Sequence, residues 1–260
     1  MWRQKIRFIY CIVLLIFLII NTSAISAEKK FVTYQNLLSE LEKIAVNSFE
    51  PSRIVRKEFV QLTKTHGIAA NKNNYKDFVR VRLAFEATRD SGLWQIRWAI
   101  TNNKPNSDAI WRQWQKQTHP KFAHEKNARE TAIAECDEIS ALFAFVARGL
   151  GVKKVGLFWP TPNHTVAVWT AIGKSDKPVR VVVPTSQIAI GASATLGTKE
   201  FDPNKQKTIY NYARHDVTLA YKIPAPMAQM MITQVKKYGG KSAAFLQSRR
   251  NRLSRKFDGS

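Results

Sequence analysis

Between Ala134 and Val183 the chain runs through one apolar helical stripe and then three short apolar runs, each closed by proline or glycine. Ile139, Leu142, Phe143, Val146 and Leu150 recur at three- and four-residue spacing, and Ala141, Ala144 and Ala147 make the segment easy to bury. Gly149 and Gly151 mark its end. Val155–Trp159, the run HTVAVWTAI from His164, and VRVVV up to Val183 are too short for helices of their own. Pro160, Pro162, the Gly173–Pro178 turn and Pro184 separate them. A helix followed by successive strands implies an α+β chain with an antiparallel sheet.

The remaining chain supplies enough apolar mass for a core. Apolar residues make up 45% of the 260, which excludes a disordered chain. Two cysteines exclude a disulfide scaffold. Tyr34–Val46 carries Leu37, Leu38, Leu41, Ile44 and Ala45 at helical spacing, and Ile54–Leu62 reads as a second helix. From Phe78 to Ile100 two alternating runs flank Arg89-Asp90-Ser91-Gly92, which predicts a β-hairpin; a helix over Tyr75–Phe85 is the alternative. Asp108 suits the cap of a short helix bearing Ile110, Trp111 and Trp114. Val217–Ile223 reads as a strand and Met227–Tyr238 as a helix.

The two ends differ from the middle. Arg3, Lys5 and Arg7 precede an apolar run from Phe8 to Ile20, and small or polar residues follow to Ala27. That is the layout of a secretory signal peptide over residues 1–27. An uncleaved N-terminal membrane anchor is the alternative, although the apolar run is shorter than the roughly 20 residues of a spanning helix. Cys11 follows Phe8-Ile9-Tyr10, which is not a lipoprotein box. The expected organisation is a signal peptide (1–27), one α+β domain (28–235) and a basic C-terminal tail (236–260). Lys and Arg outnumber Asp and Glu by 41 to 19 over the chain. The tail holds Lys236, Lys237, Lys241, Arg249, Arg250, Arg252, Arg255 and Lys256 against Asp258, so an anionic cell-envelope surface is an expected partner. Nucleic acid is not expected, because no base-reading motif accompanies the charge.

Removal of residues 1–27 leaves one cysteine, Cys136, with no internal thiol to pair with. It sits where the central helix begins. A thiolate there faces backbone N–H groups without intrahelical acceptors and the positive end of the helix dipole, and this is how helix-start cysteines become nucleophiles. Asp137 and Glu138 suit the first helical turn for the same reason but oppose a thiolate. A thiol nucleophile needs a base, and the base needs an orienting group. His164 opens a strand after a Pro-Asn turn and is the best candidate; His66, His119, His124 and His215 fall in loop-like or uncertain segments. The alternatives are a buried structural thiol and a strand-end histidine satisfied by backbone. His119, His124 and Cys136 match no metal-ligand spacing, and no cofactor or metal is implied.

A cysteine at the start of an apolar helix ending in RGLGV, then HTVAVW, then VVVPT, resembles the transglutaminase-like superfamily over roughly Ala134 to Gln187. The resemblance implies a papain-like fold and a Cys-His-Asp triad, with a tryptophan near the histidine, here Trp169. It departs from the family pattern at Val183, which stands where the acid belongs, and no glycine precedes the cysteine. Gln187 lies four residues past Val183 on the same face of an extended chain, with Thr185 between them, and an amide can orient an imidazole. Gln187 is therefore the expected third member.

These readings lead to an exported cysteine-nucleophile enzyme acting on peptide or carboxamide bonds of a peptide or protein substrate. Water would resolve the acyl-enzyme in a protease or amidase, and an amine would resolve it in a transglutaminase-type transfer. The alternative is a catalytically degenerate papain-fold module that binds cell-envelope polymers or an anionic membrane surface.

Overall fold

Helix starts are set by short polar caps. The computed structural model describes residues 31–96, 98–100, 132–161, 164–185, 195–199, 201–205, 208–210 and 219–258. Helix α1 (Tyr34–Ile44) begins where Thr33 accepts a hydrogen bond from the Asn36 N–H, and it buries the expected Leu37, Leu38, Leu41 and Ile44. A π-turn over Ala45–Phe49 extends it. Helix α2 (Arg53–His66) starts from Ser52 and ends at Gly67, whose φ of +68° completes a left-handed C-terminal cap. Helix α3 (Lys72–Thr88) starts from Asn71, whose Oδ1 accepts from the Asn74 N–H at 2.8 Å.

Helix α3 corrects the hairpin reading of Phe78–Ile100. Val79, Val81, Leu83, Phe85 and Ala87 do alternate with polar residues, but Arg80, Arg82 and Glu86 between them are buried as well. A helix enclosed on all sides loses its one-sided 3.6-residue stripe, so its apolar residues can fall at any spacing. The charged positions mimicked the solvent face of a strand. The Arg89-Asp90-Ser91-Gly92 turn exists, but it folds the chain back on the helix end: Leu93 and Trp94 N–H groups donate to the carbonyls of Glu86 and Ala87. Trp94 is a core residue there rather than part of a strand.

Strand β1 (Trp98–Ile100) pairs in parallel with β2 (Ala132–Ala134), Trp98 opposite Ala132. Helix α4 (Cys136–Gly149) follows, and its stripe from Ile139 to Val146 is fully enclosed. Strands β3 (Val155–Thr161), β4 (His164–Ile172) and β5 (Pro178–Val183) form an antiparallel sheet in that order. The class is α+β. The register of β3 on β4 shifts between Phe158 and Thr161, where Pro160 has no N–H for the ladder.

The sheet has two apolar faces. Leu157, Ala167, Trp169, Ala171, Val181 and Val183 join the main core with the helices. Phe158, Val166, Val168 and Val182 form a second cluster, against which Phe201 and Ile209 pack. Both faces being covered explains why β3–β5 read as continuous apolar runs.

Strand β6 (Lys222–Pro224) leads into helix α5 (Ala225–Tyr238), which carries Pro226 in its first turn. The basic stretch that follows is helix α6 (Ala243–Asp258), anchored by the buried Leu246 and Arg250. It is a docked element rather than a solvated extension. The expected signal peptide and the short helix at Asp108 lie outside the described residues.

Truncating the α4 stripe tests this packing. Leu142→Ala should cost roughly 2–5 kcal/mol of unfolding free energy, because Leu142 is fully enclosed and leaves a cavity. Val60→Ala on the exposed side of α2 should stay within about 0.5 kcal/mol. Urea unfolding of both variants measures the contrast.

Candidate active site

Cys136 is the first residue of α4, entered directly from β2 through Glu135. The Glu135 N–H donates to Glu138 Oε2 at 3.0 Å, half of a capping box that fixes where the helix begins. Asp137 Oδ1 accepts from the Glu138 N–H at 2.9 Å. Burial, then the charges of Asp137 and Glu138, push the Glu135 carboxyl above its ordinary range. The thiol is half-buried among these acids.

The Cys136 thiol rests on the next strand. Its Sγ accepts from the Thr165 N–H at 3.3 Å. Thr165 lies two residues beyond the last β4–β5 pair, Ala167 opposite Val183. Pro184 ends β5, and the Thr185 N–H turns back to the Val183 carbonyl at 2.9 Å. Past that point β4 meets the start of α4 instead of a strand. Ser140 Oγ donates to the Cys136 carbonyl at 2.7 Å, stands 3.3 Å from the Thr165 carbonyl and meets Thr185 Oγ1 at 2.5 Å. With one hydroxyl proton, Ser140 serves one acceptor at a time, so the Thr185 hydroxyl donates to Ser140 when Ser140 donates to Cys136. All three hydroxyl residues are buried. The network clamps the helix start to the strand start.

His164, the first residue of β4, is therefore one residue from the backbone group that touches the thiol. His164 is 7% exposed, and its ring packs against Phe201 at 5.7 Å between centroids. Strand alternation places it on the Val166 and Val168 side, while Thr165 belongs with Ala167 and Trp169. His164 Nε2 is buried and has no hydrogen-bond partner. Burial holds the imidazole below its ordinary value, so it is neutral at pH 7, the form a general base requires.

The expected third member is not placed by the fold. Gln187 lies outside the described residues, as do His119, His124 and His215. Val183 is fully buried in the main core, where an ionised carboxylate would need a partner. Thr185, on the same face, is committed to Ser140. His66 ends α2 and contacts the Gly197 region; its imidazole is held below its ordinary value chiefly by burial. Among the described residues no group of three His, Cys, Asp or Glu side chains could hold a metal.

Sequence reasoning missed Ser140, Thr165 and Phe201, and noted Thr185 only for the face it shares with Val183. Ser140 left a signal: it is the only hydroxyl in an alanine-rich helix and falls four residues after Cys136, on the same face. Phe201 left none, since it comes from a turn region far along the chain. A cavity of about 530 Å³ adjoins the histidine side, lined by Phe158, Trp159, Thr161, Phe201, Asp202 and Lys205. At its edge the exposed rings of Trp159 and Tyr210 meet at 4.2 Å. No family model, curated protein or solved structure matches the chain.

Two measurements follow from the geometry. Ser140→Ala should cost about 1–3 kcal/mol in urea unfolding, because it strands buried polar partners at Cys136 and Thr185. Acid should also destabilise the fold through His164. Its folded-state affinity for protons is depressed, so below about pH 6.5 the unfolded chain binds the proton first and stability falls with falling pH. His66 is shifted the same way. His164→Gln should flatten part of the stability slope between pH 6.5 and 5, read from denaturant midpoints; an unchanged slope would mean that His164 is charged inside the fold.

Proposed function

We propose that the chain is a thiol-dependent enzyme on a papain-like arrangement of helix and antiparallel sheet, attacking peptide or carboxamide carbonyls through Cys136 and His164. The observation that carries this is the 3.3 Å contact from the Thr165 N–H to Cys136 Sγ, which seats the strand start bearing His164 against the nucleophile's helix start. The unpartnered Nε2 and the neutral imidazole support a proton-accepting role. The ring would turn from Phe201 toward the sulfur as substrate enters.

The chemistry is ordinary acyl transfer. His164 takes the thiol proton as Cys136 sulfur bonds to the carbonyl carbon. The same proton then passes to the leaving amine as the C–N bond breaks. Water or a second amine gives up a proton to His164 and attacks the acyl carbon, and the released sulfur takes that proton back. The Cys136 N–H, in a first helical turn with no intrahelical acceptor, is a natural donor to the developing oxyanion. The leader pattern over residues 1–27 supports action outside the cytoplasm.

The second reading is a non-catalytic module for cell-envelope polymers. It is favoured by Val183 in the place of the acid and by the His164 ring lying against Phe201 rather than the thiol. Alkylation distinguishes the two. With iodoacetamide at pH 6.5, Cys136 in the full chain should be modified readily, as read by peptide mapping. His164→Ala should slow that modification at least tenfold, within the range that a positioned base contributes. Equal rates in a folded variant would leave the binding module as the better reading.

A further inference from the structure

Between α2, α3, α6 and the turn at Thr195–Gly197 lies a cavity that the thiol chemistry does not use. Its volume is about 330 Å³, within the range of small-ligand pockets. Leu62, Phe78 and Phe85 line it with apolar surface. Arg82, Arg89 and Arg250 line it with cations, and Glu58 and Glu86 are the carboxylates of the same wall. The wall therefore carries one more positive than negative charge.

Arg82 and Arg250 are not equally satisfied. Arg82 pairs with Glu58 at 2.6 Å and donates to the carbonyls of Gly239 and Lys241. Glu86 is divided: Oε2 meets Arg250 at 2.5 Å and Oε1 meets Arg89 at 3.5 Å. Arg250 also donates to Gln247 Oε1 at 2.6 Å, yet its Nε is buried with no acceptor. Arg250, Arg89 and Glu86 are all more than nine-tenths buried. Asp90 adds negative field from outside the wall, with its Oδ1 accepting the Trp98 N–H at 2.8 Å. Even so, burial holds the Arg89 guanidinium down to about 10 and pushes Arg250 in the same direction. Arg250 Nε is thus a buried donor with no acceptor on the wall of the cavity, and a guanidinium fork matches the geometry of a carboxylate.

We propose that this cavity binds a small monocarboxylic acid with an apolar body, its carboxylate on Arg250 and its body against Leu62, Phe78 and Phe85. The two carboxylates of the wall oppose a doubly charged phosphate, and the apolar lining favours an acyl or aryl chain over a hydrated inorganic ion. The site is separate from Cys136 and His164, so it stands or falls independently of the proposed enzyme.

Titration calorimetry of the full chain tests it with octanoate, octan-1-ol and inorganic phosphate. Octanoate should bind saturably at one site, octan-1-ol at least tenfold more weakly, and phosphate more weakly than octanoate. Arg250→Met, which keeps the aliphatic bulk, should weaken octanoate at least tenfold. If that variant does not fold, Leu62→Trp fills the cavity without touching a charge and should abolish octanoate binding while far-ultraviolet circular dichroism stays native. Equal affinity for octanoate and octan-1-ol, preference for phosphate, no octanoate binding, or undiminished binding in either folded variant overturns the proposal.

Discussion

A helix buried on every side can carry charge only where each charge meets a partner, and α3 from Phe78 onward organises the helical half of this protein around that requirement. Arg80 reaches Glu42 of α1 and Glu50 beyond its π-turn, at 2.9 Å for the latter. Arg82 reaches Glu58 of α2 and the Gly239–Lys241 link between α5 and α6. Glu86 reaches Arg250 of α6. Each buried charge thus ties a different helix to the same axis. Removing one partner from such a pair typically costs about 3–5 kcal/mol, because the other charge stays buried. The pairs specify which helix lies where, while apolar burial supplies the bulk of the drive.

Against that axis α4 and the sheet form the second half of the core. The end of β5 at Pro184 matters as much as the strands themselves. Had β5 continued, a strand residue would occupy the space opposite Thr165. Instead the start of α4 fills it, with Cys136 sulfur on the Thr165 N–H and Ser140 bridging toward Thr185. The candidate site is built from a strand that stops early and a helix that starts beside it.

Much of this half was legible in the sequence. The extent of α4, the three strands, Pro160 as an interruption and Cys136 at a helix start all follow from local spacing and local breakers. The resemblance to transglutaminase-like enzymes rested on those same segments. It could not show that Val183 belongs to the core, that Thr185 is committed to Ser140, or that the His164 ring lies beside Phe201. Those facts depend on which neighbours cover each face of a strand. Alternation assigns residues to two faces, but it does not say which face meets the helix.

The amino-acid sequence by itself determined the α+β class, the extents of α4 and of strands β3 to β5, and the positions of a thiol at a helix start and a histidine at a strand start, because breakers and periodicity act over a few residues. Only the tertiary structure decided that Phe78–Thr88 is helix rather than strand, since both apolar and charged positions there are buried and periodicity carries no information when every face is covered. Only the tertiary structure turned a run of basic residues at 249–256 into a docked helix with Arg250 inside. A charge is solvated by default, and it becomes part of a core only where Glu86, 164 residues earlier in the chain, is brought within hydrogen-bond distance.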